Sequence, residues 1–329
     1  MFHTEGDRLG AFVIERDGTT TWSPDLAELR EVALEIERFH ADGRRTWAMR
    51  SAGLAPSDNA SASARRRLER LGSMLLGRIW PAIRRHAAPD EITDLIVVPT
   101  GGLWAVPFAA LVVDGVDVID VAQVTVAPSP TVARTRSAAA NGPALVVGVP
   151  GLGVPGAAIE AREIAAMHPA ATLLVDHQAT LDRVRLTCSS APAPSVVHLA
   201  THGVHRPHAP LQSGVRLADG WLTSHRASAL QLDGSLVVLS ACDTGRSTVT
   251  DGDEILGAQY GFLAAGARAV VMSLWPAHDV LTVDLMGEFH RRLASGGPAA
   301  AALRSAQLAL RDVEPHPWWW ASFAISGGA

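Results

Sequence analysis

Five short apolar runs constrain this chain more than anything else in it: DLIVVP (94–99), ALVVGVP (144–150), SVVHLA (195–200), SLVVLSA (235–241) and ARAVVMSLW (267–275). Each has the length of a strand. None shows the polar alternation of a strand with one wet face, so both faces of a sheet have to be covered. Between and after them lie patterns of helical period: AAIEAREIAAMH (157–168), TLDRVRL (180–186), EILGAQYGFLAAG (254–266), VLTVDLMGEFHRRLA (280–294) and AAAALRSAQLALRDV (299–313). Strands alternating with amphipathic helices predict an α/β fold, a mostly parallel sheet with helices on both faces.

The flanking segments are less regular. RLGAFVIERDGTTTW (8–22) reads as a hairpin turning at Asp17-Gly18. After Pro24-Asp25, LAELREVALEIERF (26–39) has Leu26, Leu29, Ala33 and Ile36 on one helical face. SAGLAPSDNASASA (51–64) has the composition of a flexible loop, and RRLERLGSMLLGRIWPAI (66–83) resumes a helix that closes near Pro81. Short strands are expected around Asp114-Gly115 within 108–129. Two uncharged runs, 95–113 and 137–159, approach the length of a membrane span, but Pro99, Gly101, Gly102 and Pro107 interrupt the first, and Gly142, Pro143, Gly148, Pro150 and Gly151 the second. Buried strands joined by turns account for them better than a membrane helix. No repeat of fixed period is visible.

Charge and composition exclude several functions. The net charge of −5 over 329 residues implies no basic surface for nucleic acid or anionic lipid. Every one of the 28 basic residues is arginine, which rules out a lysine Schiff base and a P-loop lysine. Two cysteines, Cys188 and Cys242, make no disulfide framework. The opening MFHTEGDRLG carries acids where a secretory leader has basic and then apolar residues, which points to the cytoplasm.

Chemistry is concentrated at two strand ends. VVHLA runs into Thr201-His202-Gly203, and LVVLSA runs into Cys242-Asp243-Thr244-Gly245. In an open α/β sheet, ligands bind beyond the carboxyl ends of the strands. If the two strands are parallel neighbours, both ends reach one rim, and the stretch 204–234 is long enough for the crossover. A thiolate at Cys242 would be the nucleophile, and His202 would protonate a departing amine and then activate water. Backbone N–H groups of Gly203 and Cys242 are natural oxyanion donors. The plainer reading, a cysteine filling a core gap, suits Cys188 in its helical stretch. Cys242 differs because it follows its apolar run and precedes a polar turn.

The blocks HLATHG, LVVLSACDTG, GARAVVMSLW, LMGEFHRRL, ALRSAQLALR and HPWWWASFAISG, in that order, resemble the CHAT domain, a caspase-like domain often found with tetratricopeptide repeats. IVVPTGGLWAVPFAAL (96–111) and VAPSPTV (126–132) match its upstream pattern. The resemblance implies a three-layer caspase-like fold related to caspases and separases, and a cysteine endopeptidase whose dyad is His202 and Cys242. It also implies an inactive first lobe over 1–136 and an active lobe over 142–329. No cofactor is called for. A protein or peptide substrate is implied, with an upstream repeat or sensor region or a separate activating protein. A role in bacterial defence is one that the resemblance allows. The alternative is a non-catalytic interaction module that keeps the pair but uses its cleft to bind a partner protein. A serine hydrolase is disfavoured because no GxSxG elbow occurs.

Other residues invite competing readings. His198, His202, His205 and His208 form a histidine-rich stretch, but with no HExxH and no nearby cysteine pair no metal site is assigned. His198 reads as core or as support for the site, and His205 and His208 as residues of the cleft rim. Asp251, Asp253 and Glu254 stand before a helix, where acids stabilise the N-terminus. One of them, or Asp243, could instead line a pocket for an arginine or lysine of the substrate. Trp318, Trp319 and Trp320 read as structural, with strand-like alternation leaving at least one outward.

Overall fold

The computed structural model describes residues 1–54, 58–85, 91–134, 137–151, 154–241, 247–249 and 255–328. The chain opens with an antiparallel three-stranded sheet, β1 (Phe2–Glu5), β2 (Arg8–Ile14) and β3 (Thr20–Glu28). The expected turn joins β2 to β3: Glu15 N donates to the Thr19 carbonyl at 2.9 Å, and Gly18 takes φ +89°, a conformation suited to glycine. β3 runs on to Glu28, past the expected helix start, because Ala27 and Glu28 pair with Leu9 and Arg8 beyond an irregularity in the ladder. Asp25, at φ +52°, absorbs the bend. The helix therefore begins at Leu29, as α1 (Leu29–Ser51).

α2 (Asp58–Gly72) begins inside the segment read as a flexible loop, so local composition was overridden there by packing. Its buried Ala64, Leu68 and Leu71 supply a core face. The expected continuous helix over 66–83 is broken instead. A π-turn, Ser73–Gly77, follows α2, and Pro81 sits in the first turn of α3 (Trp80–Ile83), where its missing N–H costs nothing. β4 (Thr93–Val97) comes next, then a small hairpin of β5 (Val112–Val113) and β6 (Val116–Asp117) around Asp114-Gly115 as expected. The short α4 (Val118–Val121), β7 (Ala122–Val126) and α5 (Pro130–Arg134) complete this part.

The alternating region then unfolds in order: β8 (Leu145–Gly148), α6 (Ala157–Met167), β9 (Thr172–Val175), α7 (Leu181–Cys188) and β10 (Val196–Ala200). β11 (Gly203–Val204), β12 (Gly214–Arg216), β13 (Trp221–Thr223) and α8 (Ser224–Ala227) occupy the crossover to β14 (Leu236–Ser240). β15 (Ser247–Val249) pairs antiparallel with β16 (Ile255–Gly257), so the expected helix over 254–266 starts only with α9 (Ala258–Ala264). β17 (Ala269–Ser273), α10 (Asp279–Ala294), α11 (Ala299–Val313), α12 (Pro317–Trp320) and β18 (Phe323–Gly327) end the chain.

Eight strands form the central sheet in the order β4-β7-β18-β17-β14-β10-β8-β9. All neighbours are parallel except β17 and β18. The five strands from β17 to β9 thus share one direction, and β18, β7 and β4 run the other way. Alternate residues feed two separate cores. Val237 and Leu239 join Val197, Leu199, Val147 and Phe262 on one face, while Leu236 and Val238 join Val146, Leu285 and Phe289 on the other. Helices cover both faces, so the architecture has three layers. Burying each such aliphatic side chain stabilises by about 1.5–3 kcal/mol, which explains why these strands read as unbroken apolar runs.

β18 was not anticipated as a strand, and the tryptophans before it do not alternate. Trp318, Trp319 and Trp320 are all buried, at 2–3% exposure, because they occupy a helical turn rather than a strand. Trp318 stacks on Trp275 with centroids 4.5 Å apart, and its carbonyl accepts a 2.9 Å bond from Trp275 Nε1. Gly43 of α1 makes room for that stack, since a Cβ there would lie 1.8 Å from Trp318 Cε3.

Candidate active site

β10 and β14 are adjacent and parallel, which meets the condition set by the sequence reading, with Val196 opposite Leu236 and Ala200 opposite Ser240. Their carboxyl ends therefore share a rim. The rim is tied down by hydrogen bonds: Thr201 N donates to the Ser240 carbonyl at 3.2 Å and Ser273 Oγ to the Ala241 carbonyl at 2.6 Å. Thr201, itself buried, donates its hydroxyl to the Arg216 carbonyl at 2.7 Å. Each bond fixes the backbone just before a candidate residue.

His202 and Gly203 leave the central sheet here and enter a smaller one, ordered β11-β12-β13. The His202 carbonyl accepts a 2.8 Å bond from Arg216 N, so it faces β12. In a trans peptide the next N–H points the opposite way. The Gly203 N–H is accordingly directed away from β12, toward the side of β11 that pairs with no strand among the described residues. The His202 ring is half-buried and lies against Gly151, where a Cβ would come within 2.8 Å of Nε2. The glycine after β8 thus leaves the space that the imidazole fills.

Cys242, Asp243, Asp251, Asp253 and Glu254 lie outside the described residues. His205 is half-buried and His208 exposed, both on the connection that follows β11. The other thiol, Cys188, is fully buried in α7, and burial pushes it up to about 12, which removes it as a nucleophile at neutral pH. Among the described residues no three His, Cys, Asp or Glu side chains converge to hold a metal ion.

His198 proves to be a core residue with polar partners on other elements. Glu160 of α6 accepts from His198 Nε2 at 2.9 Å. His198 Nδ1 lies 3.1 Å from His290 Nε2, and His290 Nδ1 lies 2.9 Å from His168 Nε2. Every bond in this line is satisfied when each Nε2 carries a proton and each Nδ1 accepts one. Glu160, His198 and His290 are buried, and burial is the main force holding His290 far below its ordinary value, with the neighbouring His198 and His168 adding to it. His168, half-buried, is lowered by burial and then by His198. The sequence offered one clue, a histidine within a fully buried strand, which must find a partner. It could not say which helices supply it.

Comparison with known proteins follows the same lines. Human tetratricopeptide repeat protein 28 is 35% identical over 108 residues, which is 32% of this chain and 4% of that protein. The chain thus spans a small part of the curated relatives it matches. Among solved structures, the complex of the pro- and mature domains of Porphyromonas gingivalis RgpB superposes with a TM-score of 0.52 at 11% identity, covering 91% of this chain and 76% of that one. The separase–securin complex of Saccharomyces cerevisiae gives 0.49 at 15% identity, covering 78% of this chain and 17% of that one. The mixed, three-layer, caspase-like α/β fold expected from the sequence is the one observed. The family model described as the CHAT domain matches residues 65–328, from α2 through β18 and both strands of the candidate site. The chain belongs to the CHAT domain family.

Proposed function

We propose that this chain is a cysteine endopeptidase acting on a protein substrate through His202 and Cys242. The observation that carries the reading is the register of β10 on β14. Ala200 and Ser240 are Cα partners in neighbouring parallel strands, and His202 and Cys242 each follow by two residues. Adjacent strands lie about 4.8 Å apart, a spacing that favours a thiol and an imidazole working on one carbonyl.

In this reading the Cys242 thiolate attacks the scissile carbonyl, forming a C–S bond and a tetrahedral oxyanion. The Gly203 N–H, directed away from β12, and the Cys242 N–H hold that charge. Protonated His202 gives its proton to the amine as the C–N bond breaks. His202 then takes a proton from water, which attacks the thioester and releases the acid and the thiol. An inactive lobe over 1–136 and an active lobe over 142–329 belong to the same reading, as does a pocket for a basic substrate residue among Asp243, Asp251, Asp253 and Glu254. The tetratricopeptide repeat relative supports a repeat-containing sensor or partner, and a cytoplasmic setting fits such an assembly.

The test compares the wild type with Cys242→Ala in a cell lysate by mass spectrometry of new protein N-termini. Termini found only with the wild type support the peptidase. Identical termini in both samples refute it and favour a binding module.

A further inference from the structure

A cleft of about 410 Å³ lies on the small sheet next to His202, lined by Arg206, Ala209, Gln212, Trp221, Thr223 and Arg226. The ladder fixes where it sits. Val215 and Leu222 are partners and both are buried, so they mark the inner face of this sheet. Arg216 and Trp221, and Gly214 and Thr223, are partners on the opposite face. Because Arg216 N bonds the His202 carbonyl, His202, Arg216 and Trp221 form one row across three strands. At about 4.8 Å per strand, the Trp221 backbone is roughly 10 Å from that of His202. An extended peptide covers that distance in about three residues.

Arg206 and Arg226 give the cleft a positive lining. Arg226 Nη1 donates to the Trp221 carbonyl at 3.1 Å, and the Arg216 guanidinium, outside the lining, stands 5.8 Å from the Trp221 ring centroid. No carboxylate among the described residues forms a salt bridge with Arg206, Arg216 or Arg226. Two planar guanidiniums lining one cleft suit a carboxylate, which they bind through paired N–H donors. The net charge of −5 opposes a polyanion such as nucleic acid.

We infer that this cleft is a subsite for an acidic side chain of a peptide segment, bound about three residues from the bond presented to His202. The inference deepens the peptidase reading and rests on it for the orientation of the substrate. Arg206 and Arg226 supply the charge-assisted bonds, and Trp221 gives the segment an apolar floor.

The experiment uses bead-bound octapeptide pools with Glu or Gln fixed at one position and the remaining positions randomised. Retention of the full-length Cys242→Ala chain is measured, alone and combined with Arg206→Gln and Arg226→Gln. Glu pools should retain the protein about tenfold more than matched Gln pools, and the arginine replacements should abolish the difference. Both arginines are exposed, so circular dichroism should show the triple variant folded. Equal retention of Glu and Gln pools overturns the inference, whether or not the wild type cuts the peptides. So does tighter, arginine-dependent binding of a single-stranded oligonucleotide. A Glu preference on peptides that the wild type leaves uncut upholds the cleft and removes the peptidase reading instead.

Discussion

Gly151 and His202 occupy one space: a Cβ on the glycine would stand 2.8 Å from Nε2 and 3.0 Å from Cδ2 of the imidazole. Only the far end of a side chain is in the way, so Gly151→Ala is expected to turn the ring without disturbing the core. Peptide-bond cleavage should fall about tenfold to a hundredfold, since small misplacements of a reacting group carry penalties of that size. The urea midpoint should stay within the error of the wild type. A large loss of stability would mean that the loop, and not the ring, sets the contact.

Gly43 faces a harder obstacle. A Cβ there would meet the Trp318 indole at 1.8–2.2 Å, and that ring is locked between Trp275 and Phe39. Gly43→Ala should destabilise by about 1–3 kcal/mol or more, as overpacking does. Equilibrium urea unfolding followed by tryptophan fluorescence reads both the loss and any shift of the cluster.

Acid should weaken the fold through buried histidines. His316 caps α12 by accepting from Trp318 N at 3.1 Å through Nδ1, and burial lowers it from 6.5 to about 4. The unfolded chain takes up a proton near pH 6.5 that the folded chain refuses until about pH 4, so stability falls with pH across that window. At about 1.4 kcal/mol per pKa unit the full effect is about 3 kcal/mol. His316→Asn keeps an acceptor without a basic nitrogen. Thermal melts from pH 7 to pH 4.5 should show a shallower decline for this variant.

The buried line from Glu160 to His168 separates charge from packing. Glu160→Leu strands the His198 Nε2 donor and should cost about 1–3 kcal/mol, whereas Glu160→Gln retains an acceptor and should cost less. Chemical denaturation of the two variants checks the order. Equal losses would assign the effect to side-chain volume.

The strands flanking the site were legible because both their faces are buried, which leaves a continuous apolar signature in Val237–Leu239 and Val196–Val197. Position along the chain then implied the shared rim. Segments whose structure depends on distant partners were not legible. α2 starts in a polar stretch because Leu68 and Leu71 find a core elsewhere, and Ile255–Gly257 is a strand only because Ser247–Val249 pairs with it. The tryptophans looked strand-like because their helical turn is shorter than any periodicity can reveal. Arg206, Trp221 and Arg226 were hidden for a related reason: a three-stranded ladder within the crossover brings them together, and no motif spans it.

Alkylation reads directly whether Cys242 and His202 act as a pair. Iodoacetamide labelling of each cysteine is followed by peptide mass spectrometry from pH 5 to pH 9, in the wild type and in His202→Ala. Cys188, buried and raised to about 12, serves as the unreactive internal reference. Cys242 should be labelled rapidly near neutrality, with a pH profile that shifts upward when His202 is removed. A Cys242 as inert as Cys188, or one whose profile ignores His202, would mean that the two residues do not form a catalytic pair.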